Sequence, residues 1–220
     1  MPTVLFDLDG TLIDSIELIL RSFEHTWSEH GRPACSRSEW LRGVGRPLRS
    51  HFADYVEDPD EIEAIIATYR KYNHAHHDDL VSAFPGVHEA LAALSSRGIR
   101  FGIVTSKARQ IAYRGLTECG FDPAIFEVTI TSDDDVEPKP HPAPVLAAMD
   151  ELGATPEQTI FVGDSPHDME AGRRAGVKTA AALWGPFEDD VLISAGADIM
   201  LETPAALSSL HSEGSHGMSR

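Results

Sequence analysis

Short runs of apolar residues alternate along most of the chain with longer segments in which apolar residues recur at helical spacing. The short runs predict strands, and the longer segments predict helices, each of which stops at a glycine. Strands that alternate with helices in this way are typical of a parallel sheet covered by helices on both faces. The predicted strands are 3–8, 100–105, 127–131, 159–163 and 178–183, with a weaker one at 198–201. The predicted helices of this part are 86–97, 107–119, 142–152 and 167–175.

The alternation is interrupted over residues 15–82, where no run predicts a strand. Segments 15–30 and 58–73 each carry their apolar residues along one helical stripe. We therefore predict a small all-α cap domain over 15–82, inserted into a three-layer Rossmann-like α/β core made of 1–14 and 83–206. An insertion directly after the first strand would lie over the carboxyl end of the sheet, where open α/β sheets bind ligands.

Two segments that contain several histidines are predicted to be solvated. The tail, 207–220, is rich in Ser, Gly and His and has no apolar periodicity, so we expect it to be disordered. His74, His76 and His77 stand at the end of the second cap helix among acidic residues. They favour a solvated helix end over a metal site.

The composition restricts the partners and the location of the protein. The formal net charge of −17 gives an acidic surface that repels phosphate backbones, which argues against nucleic acid as a partner. No apolar run approaches the roughly 20 residues that cross a bilayer. The N-terminus shows no signal peptide, so we expect a cytoplasmic protein without membrane association, either a monomer or a homodimer. Cys35 and Cys119 fall in different predicted modules, and we expect both to be free thiols in a reducing compartment.

The first predicted strand ends in an acidic pair, Asp7 and Asp9, which Gly10 and Thr11 follow. Carboxylates this close together repel each other unless a cation or a shared proton relieves them. The chain leaves the sheet here, so Gly10 can turn it and offer a backbone N–H. Alone, the pair is more typical of an ordinary acidic turn. With exposed amides at the end of a strand, it also suits a phosphate bound together with a metal ion.

Two further segments offer groups that suit a phosphate, although each alone could be an ordinary helix cap or a solvated lysine. Thr105 and Ser106 follow the second core strand, and a hydroxyl with the amides that open a helix forms a phosphate cradle. Lys139 stands between two prolines, which stiffen the local backbone. A rigidly placed cation is what the transfer of a phosphoryl group needs.

A last acidic pair, Asp164 and Asp168, follows the strand at 159–163. Four residues apart across a strand-to-helix turn, both can point back to the edge of the sheet. Mg²⁺ prefers a few carboxylates together with water and substrate oxygens, so Asp164 suits a metal ligand. Asp168 suits a supporting position better, where it fixes Lys139 or a bound water. Four such features in order, each at a predicted strand end, argue against chance and for a phosphate site with Mg²⁺.

These motifs resemble those of the haloacid dehalogenase superfamily of phosphohydrolases. The run from Asp7 to Thr11 is similar to the first motif of that family. Thr105 or Ser106 is similar to the second motif, Lys139 to the third, and the segment from Gly163 to Asp168 to the fourth. The predicted helical insert resembles the small α-helical cap that follows the first motif in one branch of the family. The resemblance covers about 1–207.

The resemblance implies a role for each motif residue. Asp7 would attack phosphorus and form an aspartyl-phosphate. Asp9 would protonate the leaving oxygen and then take a proton from the hydrolytic water. Mg²⁺ would be held by the side chains of Asp7 and Asp164 and by the carbonyl of Asp9. Thr105 and Lys139 would bind the oxygens of the transferred group.

Asp9 also distinguishes branches of the superfamily. The dehalogenases lack an acid at this position, because a halide leaves without a proton and an alkoxide does not. Asp9 therefore favours a phosphatase, although it does not exclude a mutase. A further alternative is a non-catalytic regulatory relative that only binds phosphate. The presence of a suitable residue at every catalytic position argues against it.

Two phosphatase subgroups compete for the substrate. The segments 85–87 (Pro-Gly-Val) and 139–142 (Lys-Pro-His-Pro) resemble phosphoglycolate phosphatases. The segment 69–81, with the pattern Tyr-Arg-x-x-Asn-x-x-x-His-Asp-x-Leu-Val, and the Asp-Asp-Val run at 134–136 resemble inorganic pyrophosphatases of the same superfamily. We expect a small phosphorylated metabolite such as phosphoglycolate, with pyrophosphate as the alternative.

The cap contributes one candidate for substrate binding. The glycines of the segment 43–48 (Gly-Val-Gly-Arg-Pro-Leu) allow a close approach to the site. Arg46 in this segment could hold an anion with two parallel hydrogen bonds. A carboxylate and a second phosphate would both suit it, and it could equally be a surface arginine of a cap loop.

Overall fold

A six-stranded parallel sheet forms the centre of the computed structural model, which describes residues 1–211. The strands of this part of the chain are β1 Thr3–Phe6, β2 Ile13–Asp14, β3 Ser82–Ala83, β4 Arg100–Val104, β5 Phe126–Ile130, β6 Thr159–Gly163, β7 Lys178–Ala182 and β8 Ile199–Leu201. All except β2 and β3 pair in parallel, in the order β5-β4-β1-β6-β7-β8. The predicted parallel α/β core is confirmed, and every predicted strand has its counterpart.

Helices cover both faces of this sheet. In the described chain they are α1 Ile16–Glu29, α2 Arg37–Leu41, α3 Leu48–Phe52, α4 Pro59–His76, α5 Val87–Ser96, α6 Arg109–Glu118, α7 Ala143–Leu152, α8 Pro166–Ala175 and α9 Asp189–Ala195. Side chains alternate across a strand. Val4 and Phe6 of β1 therefore join a cluster that includes residues of α5 and α6, whereas Leu5 joins a second cluster with α7 and α8. The result is the predicted three-layer arrangement.

The helices α1 to α4 pack around a hydrophobic cluster of their own. Its centre is aromatic: the rings of Phe23 and Trp40 stack with centroids 5.2 Å apart, and Phe52 meets Phe23 edge to face. A set of short helices with its own apolar centre agrees with the all-α insert expected from the sequence. The exact limits of the two domains stay a prediction.

A two-stranded antiparallel ribbon connects the two parts, because β2 pairs with β3. The expectation that no strand lies between the first core strand and residue 83 is therefore wrong. Two residues per strand are too few to produce an apolar alternation that could be recognised. Both chain crossings between the core and the cap thus run side by side.

Two segments expected to be solvated are partly buried. Leu207 and Leu210 belong to the core cluster beside α5, and a 3₁₀ turn spans Pro204–Ser209. Disorder from residue 207 is therefore wrong for 207–211, and 212–220 lie outside the described residues. His77 is fully buried at the end of α4, which corrects its expected exposure. Within residues 1–211, no helix has both the length and the apolar character that crossing a membrane requires.

Candidate active site

The predicted site residues converge at the carboxyl edge of the sheet because of the strand order. β1 lies between β4 and β6, so Asp7 is flanked by Thr105 on one side and Asp164 on the other. The amide of Asp7 donates to the carbonyl of Val162 at 2.8 Å, and that of Thr105 donates to Ile130 at 2.9 Å. Both residues are therefore still held by the sheet, and their side chains are buried.

Lys139 links the first and the last acidic pair. Its Nζ lies 2.9 Å from Oδ1 of Asp7 and 2.6 Å from Oδ1 of Asp168, and it donates to the carbonyl of Val104 at 3.1 Å. Asp168 in turn accepts from the amide of Ser165 at 3.1 Å and from its hydroxyl at 2.5 Å, in a capping box that begins α8. Burial disfavours the charge of Lys139, but the carboxylates of Asp168 and Asp7 outweigh it and raise its pKa, so the amine stays protonated.

Three buried carboxylates meet around this lysine. Asp7, Asp164 and Asp168 each offer an oxygen within 4.8 Å of the others. Burial raises the pKa of Asp7 to about 7, despite the opposing charge of Lys139, and raises the pKa of Asp164 well above its usual range. One ammonium group cannot neutralise three carboxylates, so the cluster lacks positive charge.

The donor set suits a hard divalent cation. Oδ1 of Asp164 accepts from the hydroxyl of Thr11 at 2.9 Å, while its Oδ2 is buried and has no hydrogen-bond partner among the described residues. Both oxygens of Asp168 are already bonded to Lys139 and Ser165. Carboxylate oxygens are the ligands that Mg²⁺ prefers. Asp7 and Asp164 therefore fit the ion, and Asp168 fits the supporting position.

Gly10 was expected to bind phosphate through its backbone amide, but it has a different role. Its N–H donates to the carbonyl of Ile13 at 2.8 Å, so it is not free to bind a phosphoryl group, and that part of the prediction is corrected. A Cβ at Gly10 would lie 2.3 Å from Oδ2 of Asp164, and the residue has φ of +82°. Gly10 thus lets the chain turn and the carboxylate of Asp164 approach its backbone.

Asp9 makes a contact that the sequence did not lead us to expect. Its Oδ1 accepts from the ammonium of Lys107 and from the hydroxyl of Ser15. Lys107 directly follows Thr105 and Ser106, and only this position in the sequence could have suggested that it belongs to the site. The amide of Lys107 donates to Oγ1 of Thr105 at 3.2 Å, which leaves the hydroxyl proton of Thr105 available for a ligand.

The cap reaches the site through its glycine-containing segment. The hydroxyl of Ser106 donates to the carbonyl of Gly45 at 2.6 Å, so Ser106 contacts the cap. A Cβ at Gly45 would lie 3.2 Å from Oγ of Ser165. The close approach predicted for residues 43–48 is therefore present.

A cavity of about 670 Å³ separates the cap from the carboxyl edge of the sheet. Asp7, Asp9 and Thr105 line it on the core side, and Arg46 lines it on the cap side. The guanidinium of Arg46 is engaged elsewhere, however, since Nη1 lies 2.5 Å from Oδ2 of Asp54 and Nη2 donates to the carbonyl of Ser50 at 3.0 Å. Arg46 is thus near the expected place but not free, and its role in binding substrate stays a prediction.

Comparison with known proteins points to one family. The model of the haloacid dehalogenase-like hydrolases matches residues 4–182. A protein of Halalkalibacterium halodurans named pyrophosphatase PpaX is 42% identical over 201 residues, which cover 91% of this chain and 92% of that protein. The structure of a haloacid dehalogenase-like family hydrolase from Streptococcus pneumoniae is similar, with a TM-score of 0.82, 29% identity and coverage of 93% of this chain and 95% of that chain.

A third similar protein is described by a different substrate. The structure of a predicted phosphoglycolate phosphatase from Haemophilus somnus superimposes with a TM-score of 0.84 at 25% identity, covering 94% of this chain and 96% of that chain. The match of the family model, the fold and the converging motif residues all agree. The chain belongs to the haloacid dehalogenase-like hydrolase family and is an enzyme of its phosphatase type.

Proposed function

We propose that this enzyme hydrolyses inorganic pyrophosphate with Mg²⁺ through an aspartyl-phosphate on Asp7. The observation that carries the chemistry is the position of Asp7, whose carboxylate lies on the wall of the cavity 2.9 Å from the ammonium of Lys139. The choice of pyrophosphate is supported by the 42% identity to a protein named pyrophosphatase. It departs from our first expectation, phosphoglycolate, which becomes the second candidate.

The reaction proceeds in two displacements at phosphorus. A carboxylate oxygen of Asp7 attacks the phosphoryl group, and the bond to the leaving oxygen breaks with its electron pair. Water then attacks the phosphorus of the aspartyl-phosphate, which releases orthophosphate and the carboxylate. Asp9 gives a proton to the leaving oxygen in the first step and takes one from the water in the second. The hydroxyl of Thr105 and the ammonium of Lys139 hold the oxygens of the transferred group.

Mg²⁺ would be held by the carboxylates of Asp7 and Asp164 and by the carbonyl of Asp9. It supplies positive charge that offsets the charge of the phosphoryl oxygens and of the attacking carboxylate. The unpartnered Oδ2 of Asp164 is the observation that favours this assignment.

Phosphoglycolate is the second candidate because of a specific similarity. A structure described as a predicted phosphoglycolate phosphatase shares the fold over 94% of this chain. Phosphoglycolate also combines a transferable phosphoryl group with a second anion. Its leaving group is an alkoxide, which needs the proton of Asp9 more than a leaving phosphate does.

A comparison of kcat/KM decides between these substrates. Pyrophosphate, phosphoglycolate and p-nitrophenyl phosphate are assayed with Mg²⁺ for the wild type and for Asp7→Asn. We expect pyrophosphate to be preferred by at least about tenfold. Preference for phosphoglycolate would replace the substrate and keep the chemistry. Phosphate release that does not exceed that of Asp7→Asn on any compound would contradict the enzyme function and support the non-catalytic alternative.

The proposed location is the cytoplasm. Both Cys35 and Cys119 are free thiols, as expected of a protein in a reducing compartment.

A further inference from the structure

One face of α4 forms a wall of the cavity. Glu63, Ile66, Arg70, Asn73 and His74 all line it. Positions 63, 66, 70 and 73 follow one another at three or four residues, and 74 is four residues from 70, so all five lie on the same side of the helix. Because the catalytic carboxylates Asp7 and Asp9 line the same cavity, this face looks across the space that a substrate would occupy.

Most of the positively charged side chains that line the cavity already form ion pairs with carboxylates of the protein. Arg46 is paired with Asp54, and Arg49 is paired with Glu63. Lys107 is paired with Asp9. The remaining arginine of the lining is Arg70, and within residues 1–211 no carboxylate lies within ion-pair distance of it.

The helix that carries Arg70 is held against α1 within the cap. Tyr69 is buried, and it lines the same cavity as Asp9. Nδ2 of Asn73 donates to the hydroxyl of Ser22 on α1 at 3.2 Å. These contacts hold the middle of α4 in place.

The end of α4 is anchored as well. Arg114 of α6 donates from Nη1 to the carbonyl of His74 at 3.2 Å and from Nη2 to Oδ2 of Asp78 at 2.8 Å. The guanidinium of Arg70 is therefore attached to a positioned element, although its side chain is exposed to the solvent of the cavity. An arginine of this kind suits a phosphate, since its planar donors can bind two oxygens at once.

We propose that Arg70 forms the subsite for the phosphate that is not transferred to Asp7. This inference rests on the proposed hydrolysis of pyrophosphate. When the bond to the leaving oxygen breaks, its electron pair stays on the departing orthophosphate, and the guanidinium of Arg70 offsets the charge that develops there. His74, one turn further along the same face, borders the subsite. Arg46 then serves the cap through Asp54.

The test compares Arg70→Gln with Lys71→Gln. Both substitutions remove one positive charge from α4, but Lys71 is exposed and does not line the cavity. Each variant is assayed with Mg²⁺ on pyrophosphate and on p-nitrophenyl phosphate, whose leaving group carries no second phosphate. We expect Arg70→Gln to lower kcat/KM for pyrophosphate by about 10- to 100-fold, as the loss of a charge-assisted hydrogen bond would. The activity of Arg70→Gln on p-nitrophenyl phosphate should stay within about threefold of wild type, and Lys71→Gln should change neither activity.

The outcomes separate the subsite from the function. If wild type hydrolyses pyrophosphate and Arg70→Gln does so equally well, the subsite is wrong and the function stands. Equal losses of Arg70→Gln on both substrates would also overturn the subsite, because they would indicate a general effect on the fold or the chemistry. If wild type releases no more phosphate from pyrophosphate than Asp7→Asn does, the proposed function fails, and the subsite for a second phosphate fails with it.

Discussion

Lys139 and Asp168 form a buried ion pair, with Nζ of the lysine 2.6 Å from Oδ1 of the aspartate. The aspartate carries no exposed surface, and the lysine is 3% exposed. Asp168 therefore holds the cation that contacts Asp7, the proposed nucleophile, while its other oxygen caps α8 through Ser165. In the proposed mechanism, stability and catalysis therefore depend on the same carboxylate.

Asp168→Asn should weaken both properties. Breaking a buried ion pair by removing one partner costs about 3 to 5 kcal/mol, because the other charge stays buried without compensation. Urea unfolding measures this loss, and the phosphate release of the folded variant measures the effect on Lys139. Asp190→Asn removes an exposed carboxylate in the first turn of α9 and should lower the free energy of unfolding by no more than about 1 kcal/mol. A similar stability for the two variants would show that the pair does not fix Lys139.

Gly10→Ala should disturb Asp164 specifically. The added methyl group would lie 2.3 Å from Oδ2 of Asp164, and alanine at φ of +82° is strained. Gly31 provides a matched control, since it has φ of +64° but no atom within 4 Å of a Cβ. Gly31→Ala should cost only about 1 kcal/mol of backbone strain, whereas Gly10→Ala should cost more and weaken the binding of Mg²⁺. Calorimetric titration with Mg²⁺ and thermal unfolding compare the two, and equal behaviour would contradict the assigned role of Gly10.

Protons should compete with Mg²⁺ at Asp7. Burial raises the pKa of Asp7 to about 7, so below that pH the carboxyl group holds a proton that the ion must displace. The apparent affinity for Mg²⁺ should fall by about fivefold between pH 7 and pH 6, and by about tenfold between pH 8 and pH 6. Calorimetry in buffers of different ionisation enthalpy would detect the released proton. An affinity that is the same at pH 6 and pH 8 would argue against Asp7 as a ligand.

His51 should make the cap sensitive to acid. It is 1% exposed beside Phe23, and neither ring nitrogen has a hydrogen-bond partner among the described residues. Burial lowers its pKa from 6.5 to about 4, with the charge of Arg46 as a smaller cause. The unfolded chain binds the proton more tightly, so this contribution to stability is complete above pH 6.5 and is lost as the pH falls toward 4.

His51→Leu removes this dependence. Relative to the variant, wild type should lose about 3 kcal/mol of unfolding free energy between pH 6.5 and pH 4. Urea unfolding of both proteins across this range gives the difference, in which the titration of all other groups cancels. Parallel curves for the two proteins would show that His51 does not titrate with unfolding.

The local patterns of the sequence predict the core of the site well. Asp7, Thr105 and Asp164 each follow an apolar strand, and the order of a parallel sheet then places them together. Contacts between distant segments are not encoded in such patterns. The pairing of Lys107 with Asp9, the bond of Ser106 to Gly45 and the pairing of Arg46 with Asp54 depend on how the cap docks. The ribbon of β2 and β3 escaped prediction because it is too short to show a period.

The catalytic claim depends most directly on Asp7. Phosphate release from pyrophosphate with Mg²⁺ is measured for wild type and for Asp7→Asn, which keeps the shape of the side chain but removes the nucleophile. We predict that the variant loses more than about a thousandfold in kcat, as nucleophile removal does in other hydrolases. A wild type that clearly hydrolyses pyrophosphate, together with an Asp7→Asn variant within about tenfold of it, would contradict the aspartyl-phosphate mechanism.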